Sequence, residues 1–408
     1  MNVLISAYAV CPGKGSEPGV GWNWAIQIAK YHKVFVITEA EFEPEIQKAL
    51  TTLPQKNNLR FYHIDIGEKA RKMCWNQGDW RFYYYYHLWQ KKALMKAREI
   101  CQTEPIDILH HLNMIGYREP GLLWKIRDIP FVWGPVGGFG TISSSFLSIY
   151  KPREAAKQLI KNIINKIQIF QPNVWNAIKK ANLILAANSI AKRNLQRFRR
   201  DEVRLLNETN TFPNFISNRS DQHTEDILKI LWIGRNIPNK ALTIALEVMP
   251  CLKDLKIRLD IVGIDSKDIN FKKKKELKNV FFHSWMPHND VQQLLSDSHL
   301  LLFTSLFEGT PHVVLEALSN GVPILCHDIY GQGDVINDSC GIKIPFENPK
   351  ASIRGFTESI LKLYNDRELL KKLSFGATKR AREITWETKA EQLISLYNQL
   401  TENTFKPN

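Results

Sequence analysis

Short apolar runs alternate with longer segments of helical periodicity along almost the whole chain. NVLISAYA (2–9) is an apolar run, PGKGSEPGVG (12–21) a glycine turn, WNWAIQIAKY a helical stretch and KVFVIT (33–38) a second run, the order of a βαβ unit. LRFYHIDI, DILHHL, IPFVWG and LILAAN continue the series. Runs that are apolar at nearly every position are buried on both faces, as in a parallel sheet covered by helices. A second series comprises ILKILWIG, IRLDIVGI, NVFFHSW, HLLLFTS, VPILCHD and GIKIP. Between the two, residues 207–227 lack a periodic apolar face and read as a linker. The pattern predicts an α/β chain with two Rossmann-like domains, residues 1–213 and 214–385. A final helix in 386–408 is expected to pack back on the first domain.

A length of 408 residues agrees with two domains rather than one. No apolar run approaches the roughly 18 residues of a membrane span, and MNVLISAYAVC reads as a first strand, not a signal peptide. The six cysteines form no CxxC pair and have no His at metal-ligand spacing. Reduced thiols in a cytoplasmic protein fit them better than a zinc site or disulfides. The charge is uneven: residues 1–215 carry 30 Lys and Arg against 17 Asp and Glu, whereas residues 216–408 carry 25 against 24. The basic first half is therefore expected to meet an anionic partner: nucleic acid, an anionic membrane leaflet or a phosphorylated acceptor.

The chemistry concentrates in FEGTPHVVLEALSNGVPILC, residues 307–326. A helix is predicted after Gly309, with Thr310 as N-cap, Pro311 at the first helical position, and a stop at Asn320-Gly321. In a parallel sheet this strand-to-helix turn lies at the carboxyl edge, where ligands bind. Its unpaired N–H groups and dipole suit a phosphate. Glu308 precedes the helix and Glu316 lies within it; each reads either as a ligand contact or as a solvated carboxylate. The apolar setting of Glu316 in VVLEAL predicts a partner for it.

EGTPHVVLEALSNGVPI resembles the E-x7-E signature of retaining glycosyltransferases of family 4, which have the GT-B architecture of two Rossmann-like domains facing across a cleft. GSEPGVGWNWAIQIAKYHKVFVIT, ILWIGRNIPNKAL and NVFFHSWMP are similar to that family's glycine loop, phosphate-binding segment and base-facing strand. WGPVGG (133–138) is similar to a motif of a subgroup that makes bacterial surface polysaccharides. The resemblance implies transfer of a sugar from a nucleotide sugar (UDP or GDP) to a saccharide or lipid-linked saccharide acceptor. It implies that Arg235 and Lys240 clamp the diphosphate, Glu308 meets the donor sugar and Glu316 the ribose. Gly309, Thr310, Pro311 and the backbone N–H groups of His312 and Val313 would line the phosphate, with Gly234, Trp285 and Met286 completing the donor side. No Asp-x-Asp occurs, so no metal and no cofactor are expected, and fixed cations would stabilise the leaving group.

In the first half Gly13, Gly15, Ser16, Glu17, Gly19 and Gly21 form a loop that would let a ligand approach the backbone. A dinucleotide fold is the competing reading, but G-x-G-x-x-x-G is one residue longer than that fingerprint. His110 and His111 end a strand and read as catalytic candidates or as structural histidines. Gly137 and Gly138 stand where many family members carry another His, and are the better backbone contacts for sugar or acceptor. Residues 69–98 are dense in aromatic and basic side chains. In REAAKQLIKNIINKIQIF (153–170), Leu159, Ile160, Ile163, Ile164 and Ile167 share one helical face, with Lys157, Lys161 and Lys166 largely off it. Such a helix either docks on the core or lies on an anionic membrane, which would make the protein peripheral on the inner membrane face. No nucleic-acid module is recognisable, so nucleic acid is not expected as a partner. A catalytically silent nucleotide-sugar-binding protein and a GT-B epimerase are the alternatives to a transferase; a phosphorylase would need a pyridoxal lysine motif that is not found.

Overall fold

The computed structural model describes residues 1–76, 79–112, 116–200, 202–212, 226–269, 271 and 277–404. The chain forms two compact units. One comprises Met1–Phe139, Asn165–Thr209 and Trp386–Asn408, and the other Gly140–Ile164 and Asn210–Thr385. The second unit thus includes residues 140–164, a placement nothing in the apolar pattern indicated. Within that unit Phe146 stacks on Phe346 at 4.2 Å between ring centroids and the Tyr150 hydroxyl donates to Asn239 at 2.6 Å. Of the expected linker, residues 213–225 lie outside the described residues. Thr211 just before them bridges to Thr385.

The first unit holds seven strands: β1 (Asn2–Ser6), β2 (Lys33–Glu39), β3 (Leu59–Ile64), β4 (Ile108–His111), β5 (Phe131–Val136), β6 (Leu183–Ala186) and β7 (Val203–Leu205). They pair in parallel in the order β3-β2-β1-β4-β5-β6-β7. All but β7 were legible as apolar runs. β7 has three residues, two of them exposed, too short and too polar to stand out. The order reverses between β1 and β4, which makes their carboxyl ends the switch point.

The second unit holds β8 (Leu228–Ile233), β9 (Ile257–Val262), β10 (Val280–His283), β11 (Leu300–Phe303), β12 (Ile324–His327) and β13 (Gly341–Ile344). All are parallel, in the order β10-β9-β8-β11-β12-β13. Leu228, Ile230 and Trp232 of β8 enter the core on one face of the sheet, and Leu231 enters the core on the other. Burial on both faces explains why the central strands β11 and β12 read as near-continuous apolar runs. Here the switch point lies between β8 and β11.

The helix Trp386–Thr404 belongs to the first unit, where Trp386 meets Trp24 edge-on at 5.6 Å. Its Lys389 ammonium is fully buried and donates to the backbone carbonyls of Asn207 and Thr209, the latter at 3.1 Å. Burial pushes the Lys389 pKa well down, and those carbonyls are what hold the cation in place. Its Tyr397 hydroxyl lies 2.6 Å from His110 Nδ1, while His110 Nε2 lies 2.7 Å from the Gly134 carbonyl. A carbonyl only accepts, so Nε2 carries the proton and Tyr397 donates to Nδ1.

Two consequences can be measured. Tyr397→Phe leaves the buried Nδ1 without its donor and is expected to cost about 1–3 kcal/mol, read as a lowered denaturation midpoint. Burial also pushes His110 and His327 down from 6.5 to about 4. With folded values below the unfolded one, the unfolded chain takes up more protons between these limits. Stability should therefore hold above pH 6.5 and fall as pH drops toward 4, with a shallower acid slope in His327→Gln.

Candidate functional site

The second unit builds the denser cluster, from the two loops that leave the switch point. β8 ends at Ile233, and Gly234, Arg235, Asn236 and Ile237 lead into a single 3-10 turn, Pro238–Lys240. Ala241 then takes a left-handed conformation (φ 46°, ψ 45°) before the helix Leu242–Val248. Beside it, β11 runs out through Thr304 to Glu308. Three bonds tie the loops together. The Trp232 indole N–H donates to the Thr304 hydroxyl at 2.9 Å, that hydroxyl donates to the Lys240 carbonyl at 2.8 Å, and Leu306 N–H donates to the Asn239 carbonyl at 2.8 Å.

This frame brings Lys240 Nζ to 2.5 Å from Glu308 Oε1, with about a fifth of each side chain exposed. The same ammonium lies 5.5 Å from the Phe303 ring centroid, a cation–π contact that further fixes it. Arg235 is exposed, and its guanidinium makes no ion pair among the described residues. Gly234 admits no side chain, since a Cβ would fall 2.8 Å from the Trp232 ring.

The following helix spans His312–Ser319 and ends at Asn320 and Gly321 (φ 64°) as expected. Its start differs from the expectation. Pro311, in extended backbone (φ −73°, ψ 117°), takes the N-cap position, and no side chain caps the helix. Thr310 is therefore not the cap; its buried hydroxyl has no hydrogen-bond partner among the described residues. The reason is local: an N-cap needs non-helical ψ, and Pro311 adopts it. Glu316 is half-buried, as its apolar setting required, and its partner is Gln292, whose amide donates at 3.0 Å. Gln292 also accepts from Asn320 at 3.0 Å, so it links the carboxylate to the helix end. His312 is exposed and Val313 half-buried. Beyond β10, Trp285 is 82% exposed, whereas Met286 packs against the core.

Two glycines escaped the sequence reading. A Cβ on Gly331 would fall 1.5 Å from the Gly309 carbonyl oxygen, and one on Gly140 would fall 1.8 Å from the Phe307 ring. Tyr330, with φ 55°, lies beside both: its ring is 4.8 Å from Phe307 and its hydroxyl donates to the Thr141 carbonyl at 2.9 Å. Segment 140–141 and segment 330–331 thus hold the Phe307–Gly309 turn from behind. The signal was the glycine pair in YGQGD.

The first unit places its predicted residues differently. The glycine turn is shorter than expected, because the helix begins at Ser16 and runs to Ile28. Gly19 and Gly21 are inside it, where a Cβ would strike the carbonyls of Lys14 at 1.9 Å and Ala9 at 2.2 Å. They serve helix-to-loop packing, and the reading of them as a ligand cradle is corrected. Gly13 (φ 70°) and Gly15 do border open space, and the Ser16 hydroxyl donates to Glu17. Gly138 (φ 85°) has its Cα against Gly116, and Gly137 offers its carbonyl to Tyr117 N–H at 3.0 Å. His110 is buried with both ring nitrogens engaged, which gives it a structural place and no free nitrogen for catalysis. His111 is also fully buried, packed where a Cβ on Gly121 would touch its ring at 2.5 Å.

Residues 215–380 match the model of the family described as Glycosyl transferases group 1. Arg235, Lys240, Glu308 and Glu316 all fall inside that stretch. A 41.2 kDa protein of the cps region of Klebsiella pneumoniae is 22% identical over 221 residues, 54% of this chain and 57% of that protein. Poly(ribitol-phosphate) alpha-N-acetylglucosaminyltransferase of Staphylococcus aureus is 27% identical over 199 residues, 46% of this chain and 39% of the relative. The chain thus spans less than two thirds of the length of these relatives. Among solved structures, Anabaena HepE in complex with UDP superposes with a TM-score of 0.62 at 12% identity, covering 98% of this chain and 100% of HepE. At that identity the likeness is one of fold, and the fold is GT-B, with two Rossmann-like α/β units.

The turn behind the site gives a prediction. Gly331→Ala should displace the Gly309 carbonyl and cost about 1–3 kcal/mol by overpacking, seen as a lower urea midpoint. Gly15→Ala, in open space, should leave the midpoint within about 0.5 kcal/mol.

Proposed function

We propose that this protein is a glycosyltransferase that moves a sugar, with retention, from a UDP- or GDP-sugar to a saccharide or lipid-linked saccharide in surface-polysaccharide synthesis. The observation that carries the reading is the Lys240–Glu308 pair at the β8/β11 switch point, with Arg235 exposed in the same loop. A parallel sheet receives phosphorylated ligands at that edge. The family match over residues 215–380 supports transfer chemistry. The name of the S. aureus relative and the UDP bound to HepE support a nucleotide-sugar donor.

In this reading Arg235 and Lys240 bind the diphosphate, the first by a planar fork and the second as a point charge already oriented by Glu308. The N–H groups of His312 and Val313 face the phosphate at the helix start. Glu316, steadied by Gln292, accepts the ribose hydroxyls, and the exposed Trp285 indole stacks on the base, with Met286 beneath. The acceptor oxygen attacks the anomeric carbon on the face the diphosphate leaves. The carbon–oxygen bond to phosphate breaks, and the acceptor proton passes to the departing phosphate oxygen. Because Glu308 is engaged by Lys240, it is held as an electrostatic partner and not as a free nucleophile. Neutralising the leaving group with fixed cations replaces a metal ion in this scheme.

Turnover of a panel of UDP- and GDP-sugars, followed as nucleoside diphosphate release in the presence of EDTA, tests the proposal. Release is expected to persist in EDTA, and Lys240→Ala should lower kcat/KM by roughly 10²–10³-fold. Glu316→Gln should act mainly on the donor KM, by about tenfold or less. Donor binding without any release by wild-type protein would favour a silent binding protein. A trapped, competent glycosyl adduct on Glu308 would overturn front-face attack.

A further inference from the structure

The helix Pro152–Gln168 is amphipathic in the opposite sense to one that packs on a core. Advancing 100° per residue, its half-buried positions are Ala155, Gln158, Asn162, Asn165 and Gln168, one nearly polar face. Those polar groups are what attach it. Asn162 donates to the Ile142 carbonyl at 2.8 Å, Tyr117 donates to the Asn165 carbonyl, and Arg118 donates to Gln168 Oε1 at 2.6 Å. The other face carries Leu159, Ile160, Ile163, Ile164 and Ile167, each between 44% and 63% exposed. No residue of the helix is buried. Docking on the core, one of the two readings of this segment, is thereby excluded for its apolar face.

We infer that this face is a docking surface for an anionic lipid membrane. Charge decides among occupants. Lys157 borders the aliphatic stripe on the side of Ile164 and Lys166 on the side of Leu159, while Arg153 stands in line with the stripe at its N-terminal end. Residues 151–200 hold 12 Lys and Arg against Glu154 alone. A lipid surface with acidic headgroups receives both components, aliphatic side chains at the acyl boundary and ammonium groups among the phosphates. A second copy of the chain would bring the same cations against themselves. Among the described residues no helix is long and apolar enough to cross a membrane, so the helix lies in the interface. The inference stands apart from the donor-site reading, because no nucleotide enters its test.

Full-length protein is sedimented with vesicles of phosphatidylcholine alone or with added phosphatidylglycerol. Binding is expected only to the anionic vesicles, weakening as salt is raised. Two triple variants, Arg153→Glu/Lys157→Glu/Lys166→Glu and Ile160→Gln/Ile163→Gln/Ile167→Gln, should each bind at least about tenfold more weakly. Both change exposed positions, so circular dichroism and the thermal midpoint should match wild type. Failure to sediment with anionic vesicles, equal binding to neutral ones, or full binding by the isoleucine variant would overturn the inference. So would a wild-type dimer that the isoleucine variant dissociates, with no vesicle binding.

Discussion

Everything in the second unit's site depends on β8 and β11 being hydrogen-bonded neighbours. Their paired positions, Ile230 with Leu300 and Leu231 with Leu301, are 70 residues apart in sequence, yet the sheet order puts their exits side by side. Thr304 then works as a bracket, accepting from Trp232 and donating to the Lys240 carbonyl. With the loops so fixed, and with Ala241 held in the left-handed conformation just after Lys240, the Lys240 ammonium and the Glu308 carboxylate meet. The charge is thus placed by backbone topology and buried hydrogen bonds before any ligand arrives, which is the preorganisation that electrostatic stabilisation requires.

The first unit uses its polar residues in another way. His110, Tyr397 and Lys389 are buried, and each has its hydrogen-bonding capacity directed at a neighbour within the unit. Removing any one leaves a buried polar group unmatched, so these residues specify how the C-terminal helix seats. The contrast between a saturated histidine and an exposed arginine separates scaffold from candidate chemistry better than residue type does.

Much of the architecture was legible because strands buried on both faces, such as β5, β11 and β12, leave near-continuous apolar runs, and the partly exposed edge strands β3, β10 and β13 still keep enough apolar positions to stand out. Arg235, Lys240, Glu308 and Glu316 were legible because they follow such runs at a sheet edge. Local onsets were not. Thr310 looks like a cap until Pro311 takes the extended backbone that a cap needs, and Gly19 looks like a ligand cradle until the helix is seen to start at Ser16. The membership of residues 140–164 in the second unit rests on contacts such as Phe146 with Phe346, distant in sequence and unmarked by periodicity. For the helix Pro152–Gln168 the periodicity was correct, but periodicity alone does not say which face turns inward.

The central claim is that a nucleoside diphosphate seats on the loops after β8 and β11. Hydrogen exchange of the full chain, with and without UDP or GDP in EDTA, tests it most directly. The account predicts slowed exchange in residues 234–241 and 306–316 with at least one of the two nucleotides. Protection confined to the loop around Gly13 and Gly15, or none with either nucleotide at saturating concentration, would contradict it.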